Sequence, residues 1–525
     1  MEAKAVDHLH PDWNVGLDEA DSREGAFALD AASATHPIVQ AKDTTAETNE
    51  IGDAITYEKG AAVVRMLEAY VGPDNWREGV RAYMKEHAYA NTTHDDLYRA
   101  MEAAAHKPVM QIARDFTLQA GAPLIAVDAV TPAAGGSTVT LHQGRFGLDA
   151  PSKAPKTWHV PVNLLAANGA TAQAVIAGPQ PQTVALPGPS QSSPTRGDRL
   201  LPHALRAGRV PAACGRAGAL GPYDQLVLIR DSWALADGGY APAGEMLTLA
   251  TRLPTDADPL VWNALADELT SIDLLYEGLP ERQAAFRAFG RRVLGPQMAK
   301  LGWEPKPGEP AGAKVARETV IGALSVFDDP AVIAEARRRF ALFQKDPSSL
   351  PAGIRDPVLN AVGLHADAAD FEALRALARA STDAQEKEQF LYSLARVRDP
   401  ALSAKLMDLS LTPEVPPSLA PVLLRIAAGR HPQAAYAFGL APQGAARRGV
   451  RHAQPPQHDP GLARTSSDPA MADAVHAFAR TAPAAGRSTS GGQGRGRIRH
   501  RADVRARVLP EVDAWIAANP QGVKA

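Results

Sequence analysis

Asp53-Ala-Ile-Thr-Tyr57-Glu-Lys-Gly60-Ala-Ala-Val-Val-Arg-Met-Leu67 sets a tyrosine at the mouth of an amphipathic helix, beside charged residues and a glycine. Tyr57, Ala61, Val64 and Val71 recur at helical spacing and are expected to share one face. Gly72-Pro73-Asp74 stops that helix. A second helix is expected from Trp76 to Ala88, with Trp76, Val80, Tyr83, Met84 and His87 inward. Thr93 and Asp96 are spaced as a capping box before Leu97 and Met101. Pro108 suits the first turn of a short helix running through Phe116.

The pattern changes near Gly121. Segments 123–127, 138–141 and 158–162 alternate or favour β-branched residues, so residues 123–187 read as a small antiparallel β unit. Helical periodicity returns from Asp224. Asp-Pro recurs at 258, 329, 356 and 399, where aspartate caps a helix and proline opens it. Val261, Leu265, Leu269 and Ile272 form one apolar stripe; Val320, Leu324 and Phe327 a second; Phe371, Leu374 and Leu377 a third. Paired helices at irregular spacing predict a HEAT-like α-solenoid. A last helix is expected over 502–518, with Val504, Val508, Val512 and Trp515 aligned.

Two stretches lose all period. Residues 188–221 carry Arg206, Arg209, Arg216 and the sole cysteine, Cys214, among Gly, Ala and Pro. Residues 441–500 are low-complexity apart from a short helical piece, Met471 to Ala479. Paired, later compensated frame changes in a GC-rich reading would produce such tracts. The first would expose a sheet edge and the second would remove helices near the end of the solenoid.

The chain has 525 residues, enough for about two to four domains. A formal net charge of −3 gives no global field for nucleic acid. The arginines of the two odd stretches lack aromatic interleaving, so a solvated coil is expected rather than a nucleic-acid site. One cysteine excludes an internal disulfide and a thiolate cluster. No apolar run of about 18 residues occurs, so no membrane span is expected. The start, Met1-Glu-Ala-Lys-Ala, is not a signal peptide. A soluble protein is expected, with the compartment, cytoplasmic or periplasmic, left open. His8 and His10 with Asp7 and Asp12 stand two apart on a helix and point in different directions, which disfavours a metal site.

Further segments extend the pattern of the tyrosine run. They are Ala34-Thr-His-Pro37, Phe116-Thr-Leu-Gln-Ala-Gly-Ala-Pro-Leu124, Gln143-Gly-Arg-Phe146, Trp158-His-Val-Pro-Val162 and the run opening at Pro222. In this order the set resembles the M1 zinc aminopeptidases. The resemblance implies a mainly α fold. Residues 1–120 would be part of a thermolysin-like helical subdomain, 121–221 a small β-sandwich and 222–525 the helical-repeat domain.

By the same resemblance Tyr57 is the catalytic hydrogen-bond donor, zinc is the cofactor of the intact family and peptides are the substrates. None of the fifteen histidines is followed by glutamate, so the His-Glu-x-x-His zinc motif is absent. No Gly-x-Met-x-Asn occurs either. The expectation is therefore a C-terminal fragment of such an enzyme, without a metal site of its own and without peptidase activity in isolation. Asp53 is expected to cap the tyrosine helix. Glu58, Lys59 and Arg65 are expected as surface or ion-pair residues. The competing reading is a non-catalytic helical-repeat scaffold that binds a partner on its concave face.

Overall fold

The computed structural model describes residues 2–13, 15–40, 53–166, 170–187, 192–193, 220–440, 460–481 and 490–520. Cys214, Arg206, Arg209, Arg216, most of 188–221 and part of 441–500 lie outside them. The chain divides into two compact units, the first ending at Pro254 and the second beginning at Thr255.

The first unit opens with α1 (Glu2–Leu9) and α2 (Val15–Asp30). A π-helical turn (Ile55–Lys59) leads into α3 (Gly60–Val71), followed by α4 (Pro73–Glu86), α5 (His94–Ala105) and α6 (Val109–Leu118). The boundary residues act locally. Gly72 takes φ +90, which ends α3, and Pro73 starts α4. Thr93 and Asp96 exchange both capping-box hydrogen bonds at the head of α5.

Helix α3 buries Val63, Met66, Leu67, Tyr70 and Val71 against Met101, Ile112 and Phe116. Of the expected Tyr57–Ala61–Val64–Val71 face, Val71 is buried, while Tyr57, Ala61 and Val64 turn outward. This run carries two apolar stripes, and the larger side chains took the core. Met84 is exposed as well, because α4 buries only Gly79 fully.

Strands β1 (Ala122–Ala133), β2 (Gly136–Phe146), β3 (His159–Ala166), β4 (Thr171–Ala177), β5 (Gln182–Pro187) and β6 (Ser192–Ser193) form two antiparallel sheets, ordered β1-β2-β5 and β4-β3-β6. Ile125, Val139 and Leu141 from one sheet meet Trp158, Val160, Leu164 and Ile176 of the other in a single core. Buried Gln143 joins the sheets. Its amide donates to the carbonyls of Trp158 (2.8 Å) and Ile176 (3.1 Å), and its carbonyl accepts the Trp158 N–H (2.8 Å). All three partners are backbone groups.

Helices α7 (Pro222–Gly238) and α8 (Gly244–Arg252) follow within the same compact unit. A ring stack of Phe27, Phe146 and Tyr240 carries that packing, with centroids 4.7 and 5.2 Å apart.

The second unit is helical throughout its described residues, from α9 (Pro259–Asp273) and α10 (Pro280–Leu301) through α11 (Gly312–Val326), α12 (Pro330–Phe343), α13 (Ala352–Leu364), α14 (Ala368–Ala380), α15 (Ala384–Leu394), α16 (Pro400–Leu409), α17 (Ala420–Ala428) and α18 (Pro432–Leu440) to α19 (Pro469–Thr481) and α20 (Ser490–Ala518). Asp258, Asp329 and Asp399 cap helices as expected, each accepting backbone N–H groups of the first turn. Asp356-Pro357 does not: Pro357 lies inside α13. Asp367 and Asp383 cap α14 and α15 without a following proline.

The turns of this unit stack as a ladder. His365 Nε2 reaches the Ser325 carbonyl (2.8 Å), the Arg398 N–H donates to Leu364 (3.2 Å), and His431 Nε2 reaches Val397 (3.0 Å). Each contact thus reaches a carbonyl at or just past the end of an earlier helix. Gly363 lets α13 touch α15 backbone to backbone, because a Cβ there would overlap the Ser393 carbonyl.

Residues 490–500, expected as low-complexity coil, are the start of α20. Ile498 anchors them, fully buried beside Ala463, Ala472 and Val475. Val504, Val508 and Val512 are buried as their spacing requires, and Trp515 meets Phe289 edge-on at 5.5 Å.

Candidate functional site

The π-helical turn at Ile55–Lys59 sends two side chains in opposite directions. Tyr57 points to solvent and is 68% exposed, while Lys59 is buried. A π-turn inserts one residue into the helical repeat, which re-aims side chains at its edge.

Lys59 Nζ lies 2.9 Å from Asp30 Oδ2 and also donates to the Gly121 carbonyl (3.1 Å) and the Gln119 carbonyl (3.4 Å). Asp30 Oδ1 accepts the Gly121 N–H (2.8 Å) and the Thr35 hydroxyl (2.6 Å). The buried pair is therefore saturated, the condition under which a buried ion pair is tolerated. It ties the end of α2, the tyrosine turn and the segment after α6 together.

Asp53 holds the other side of the turn. Its Oδ1 accepts the Thr56 N–H (3.1 Å), as a capping carboxylate does, and its Oδ2 lies 2.7 Å from His36 Nε2. Burial pushes the Asp53 carboxyl up, but the hydrogen bonds from His36 and Thr56 outweigh it and hold the group below the usual range. His36 Nδ1 lies near both the Gln40 amide (2.8 Å) and the Pro37 carbonyl (2.9 Å). Arg65 pairs with Glu19. Beneath the turn lies a small apolar cavity of about 30 Å³, lined by Phe27, Ala62, Val63, Phe116, Ala122 and Pro123 among others.

The sequence segments 34–37, 53–60 and 116–124 therefore meet at one place. Asp53 acts as the expected cap, and Lys59 and Arg65 are the expected ion-pair residues. Asp30, the hub, carried no sequence signal: it ends a helix of weak pattern and finds its partners 29 and 91 residues further along the chain.

Among the described residues no three His, Cys, Asp or Glu side chains converge to hold a metal ion. His10 stacks on Trp13 at 4.2 Å instead of facing a ligand set. The donor groups present do not fit a zinc ion.

The model of the Peptidase family M1 domain matches residues 1–116, and that of the ERAP1-like C-terminal domain matches residues 207–438. The chain is 28% identical over 438 residues to Aminopeptidase M1 of Arabidopsis thaliana, covering 78% of this chain and 49% of the relative. It is 26% identical over 424 residues to Aminopeptidase 2 of Candida albicans, covering 78% of this chain and 45% of the relative. To the Tricorn protease-interacting factor F2 of Thermoplasma volcanium it is 29% identical over 358 residues, 66% of this chain and 42% of the relative. The chain spans about half the length of the curated relatives it matches. These matches agree with the mainly α fold and its small antiparallel sheets. The chain belongs to the M1 aminopeptidase family. No helix among the described residues is long and apolar enough to cross a membrane.

Proposed function

We propose that this chain supplies the oxyanion-holding half of a zinc aminopeptidase that releases N-terminal residues from peptides. The observation that carries the reading is Tyr57, whose phenol stands in solvent at the edge of a turn pinned from below by Lys59–Asp30 and from the side by Asp53–His36. Its O–H would donate to the oxygen that gains charge as the scissile carbonyl becomes tetrahedral. Such a donor is worth about 3–4 kcal/mol of the barrier. It acts only when a nucleophile is present. Residues 1–525 contain no His-Glu-x-x-His to bind the ion that activates water, so we expect no turnover from them alone. On this reading residues 1–120 are catalytic-domain helices, 121–221 the β-sandwich and 222–525 the repeat domain.

The test is metal analysis of the purified chain with an aminoacyl-anilide assay. Zinc below stoichiometry and no turnover are expected. Stoichiometric zinc with turnover that disappears in Tyr57→Phe would overturn the inactive reading while supporting the role of the tyrosine. The scaffold reading gains only from the turn ladder of the second unit. It predicts that a bound partner is released by substitutions in that unit and not by Tyr57→Phe.

A further inference from the structure

The turn Gln119-Ala120-Gly121 gathers more positive charge than the mechanism above uses. Lys59 reaches its Gly121 carbonyl from below and is neutralised by Asp30. Lys156, from the loop between β2 and β3, donates to the Ala120 carbonyl at 2.9 Å and meets no carboxylate within ion-pair distance among the described residues. Arg145, from β2, lies flat against Gly121: a Cβ there would come within 2.6 Å of Arg145 Nε and 3.1 Å of Nη2. Gly121 also sits at φ +97, so both backbone and space require glycine.

The Arg145 guanidinium has no hydrogen-bond or ion-pair partner among the described residues, and its Nε is buried. The one carboxylate nearby, Asp30, is saturated by Lys59, Gly121 and Thr35. Burial, the neighbouring Arg145 and Lys59 together hold the Lys156 ammonium below its ordinary pKa, against the pull of Asp30. Three cations thus share one carboxylate, and among the described residues neither Arg145 nor Lys156 has an anion in ion-pair contact. A planar guanidinium beside an ammonium fits an oxyanion with two or three oxygens.

We propose that Arg145 and Lys156, seated on the Gln119–Gly121 turn, form a binding site for a small oxyanion, a carboxylate or phosphoryl group. The site does not include the Tyr57 phenol and does not depend on the peptidase reading. Lys59 and Asp30 are its floor and do not touch the ligand.

Thermal unfolding of the full chain in saturating inorganic phosphate, against sodium chloride at equal ionic strength, tests it. The melting temperature should rise by about 2–4 °C. The rise should vanish in Arg145→Met and fall by at least half in Lys156→Met. Acetate at matched ionic strength separates the sources: an equal rise marks a carboxylate site, and a rise with phosphate alone marks a phosphoryl site. No rise with phosphate over sodium chloride in the parent chain, or a rise kept in both variants, overturns the proposal. Should Arg145→Met not fold, Lys156→Met decides, because it loses only one carbonyl contact. Phosphorus resonance broadening in the parent is the independent readout, and its absence likewise overturns the site.

Discussion

The two units of this chain hold their polar groups in opposite ways. The first concentrates them: one carboxylate, Asp30, holds the tyrosine turn, the Ala34–Pro37 segment and the Gln119–Gly121 turn at once. The second distributes them along a ladder in which each turn satisfies a carbonyl of an earlier one. A hub fixes one geometry tightly, which suits a side chain that must meet a reacting atom. A ladder spreads the same task over many weak rungs, which suits a repeat domain. The comparison predicts that single changes near Asp30 are severe and cooperative, while most changes in the ladder are local.

The largest effect should come from Lys59→Met. It leaves Asp30 charged and buried without its cation, at a cost of about 3–5 kcal/mol. Denaturant unfolding should lose the first unit before the second. Adding Asp30→Leu should recover much of the loss, and a double variant no better than the single would break the hub picture.

Gly363→Ala comes next. It drives a methyl into the Ser393 backbone, which cannot move away as a flexible side chain would. A loss of about 2–3 kcal/mol is expected in the second unit. Calorimetry should show the first unit unchanged.

Asp399→Ala should cost about 1 kcal/mol, since Asp399 Oδ1 holds the Ala401 and Leu402 N–H groups at the head of α16. Asp356→Ala, at a non-capping Asp-Pro, should cost clearly less by the same chemical melt.

The smallest effect is a pH slope. Burial holds the His365 imidazole below its ordinary pKa, against the pull of the Ser325 carbonyl. A depressed folded pKa means stability that is present above the unfolded value near 6.5 and is lost as pH falls through the folded value. Unfolding of the parent between pH 7.5 and 5.5 should therefore be steeper than that of His365→Gln. Parallel slopes would remove His365 from the ladder's energetics.

What was legible in the sequence follows the range of the forces involved. Thr93–Asp96 and the caps at Asp258, Asp329 and Asp399 could be read because donor and acceptor lie within three residues. Val261, Leu265, Leu269 and Ile272 could be read because one helix repeat generates the stripe. The outward turn of Ala61 and Val64 could not. Two apolar stripes shared α3, and only Met101, Ile112 and Phe116, far along the chain, chose between them. The helix over 490–500 was hidden for a similar reason: a glycine-rich composition opposes helix locally, and burial of Ile498 overrides it.

By itself the sequence determined the class of this protein, the tyrosine at the head of its helix and the lack of a His-Glu-x-x-His within residues 1–525. Only the tertiary structure decided that Lys59 turns inward while Tyr57 turns out, and that Arg145 lies against Gly121. Local patterns encode which element forms. The direction in which a charged side chain points is set by where a distant partner, such as Asp30, has been brought by the rest of the fold.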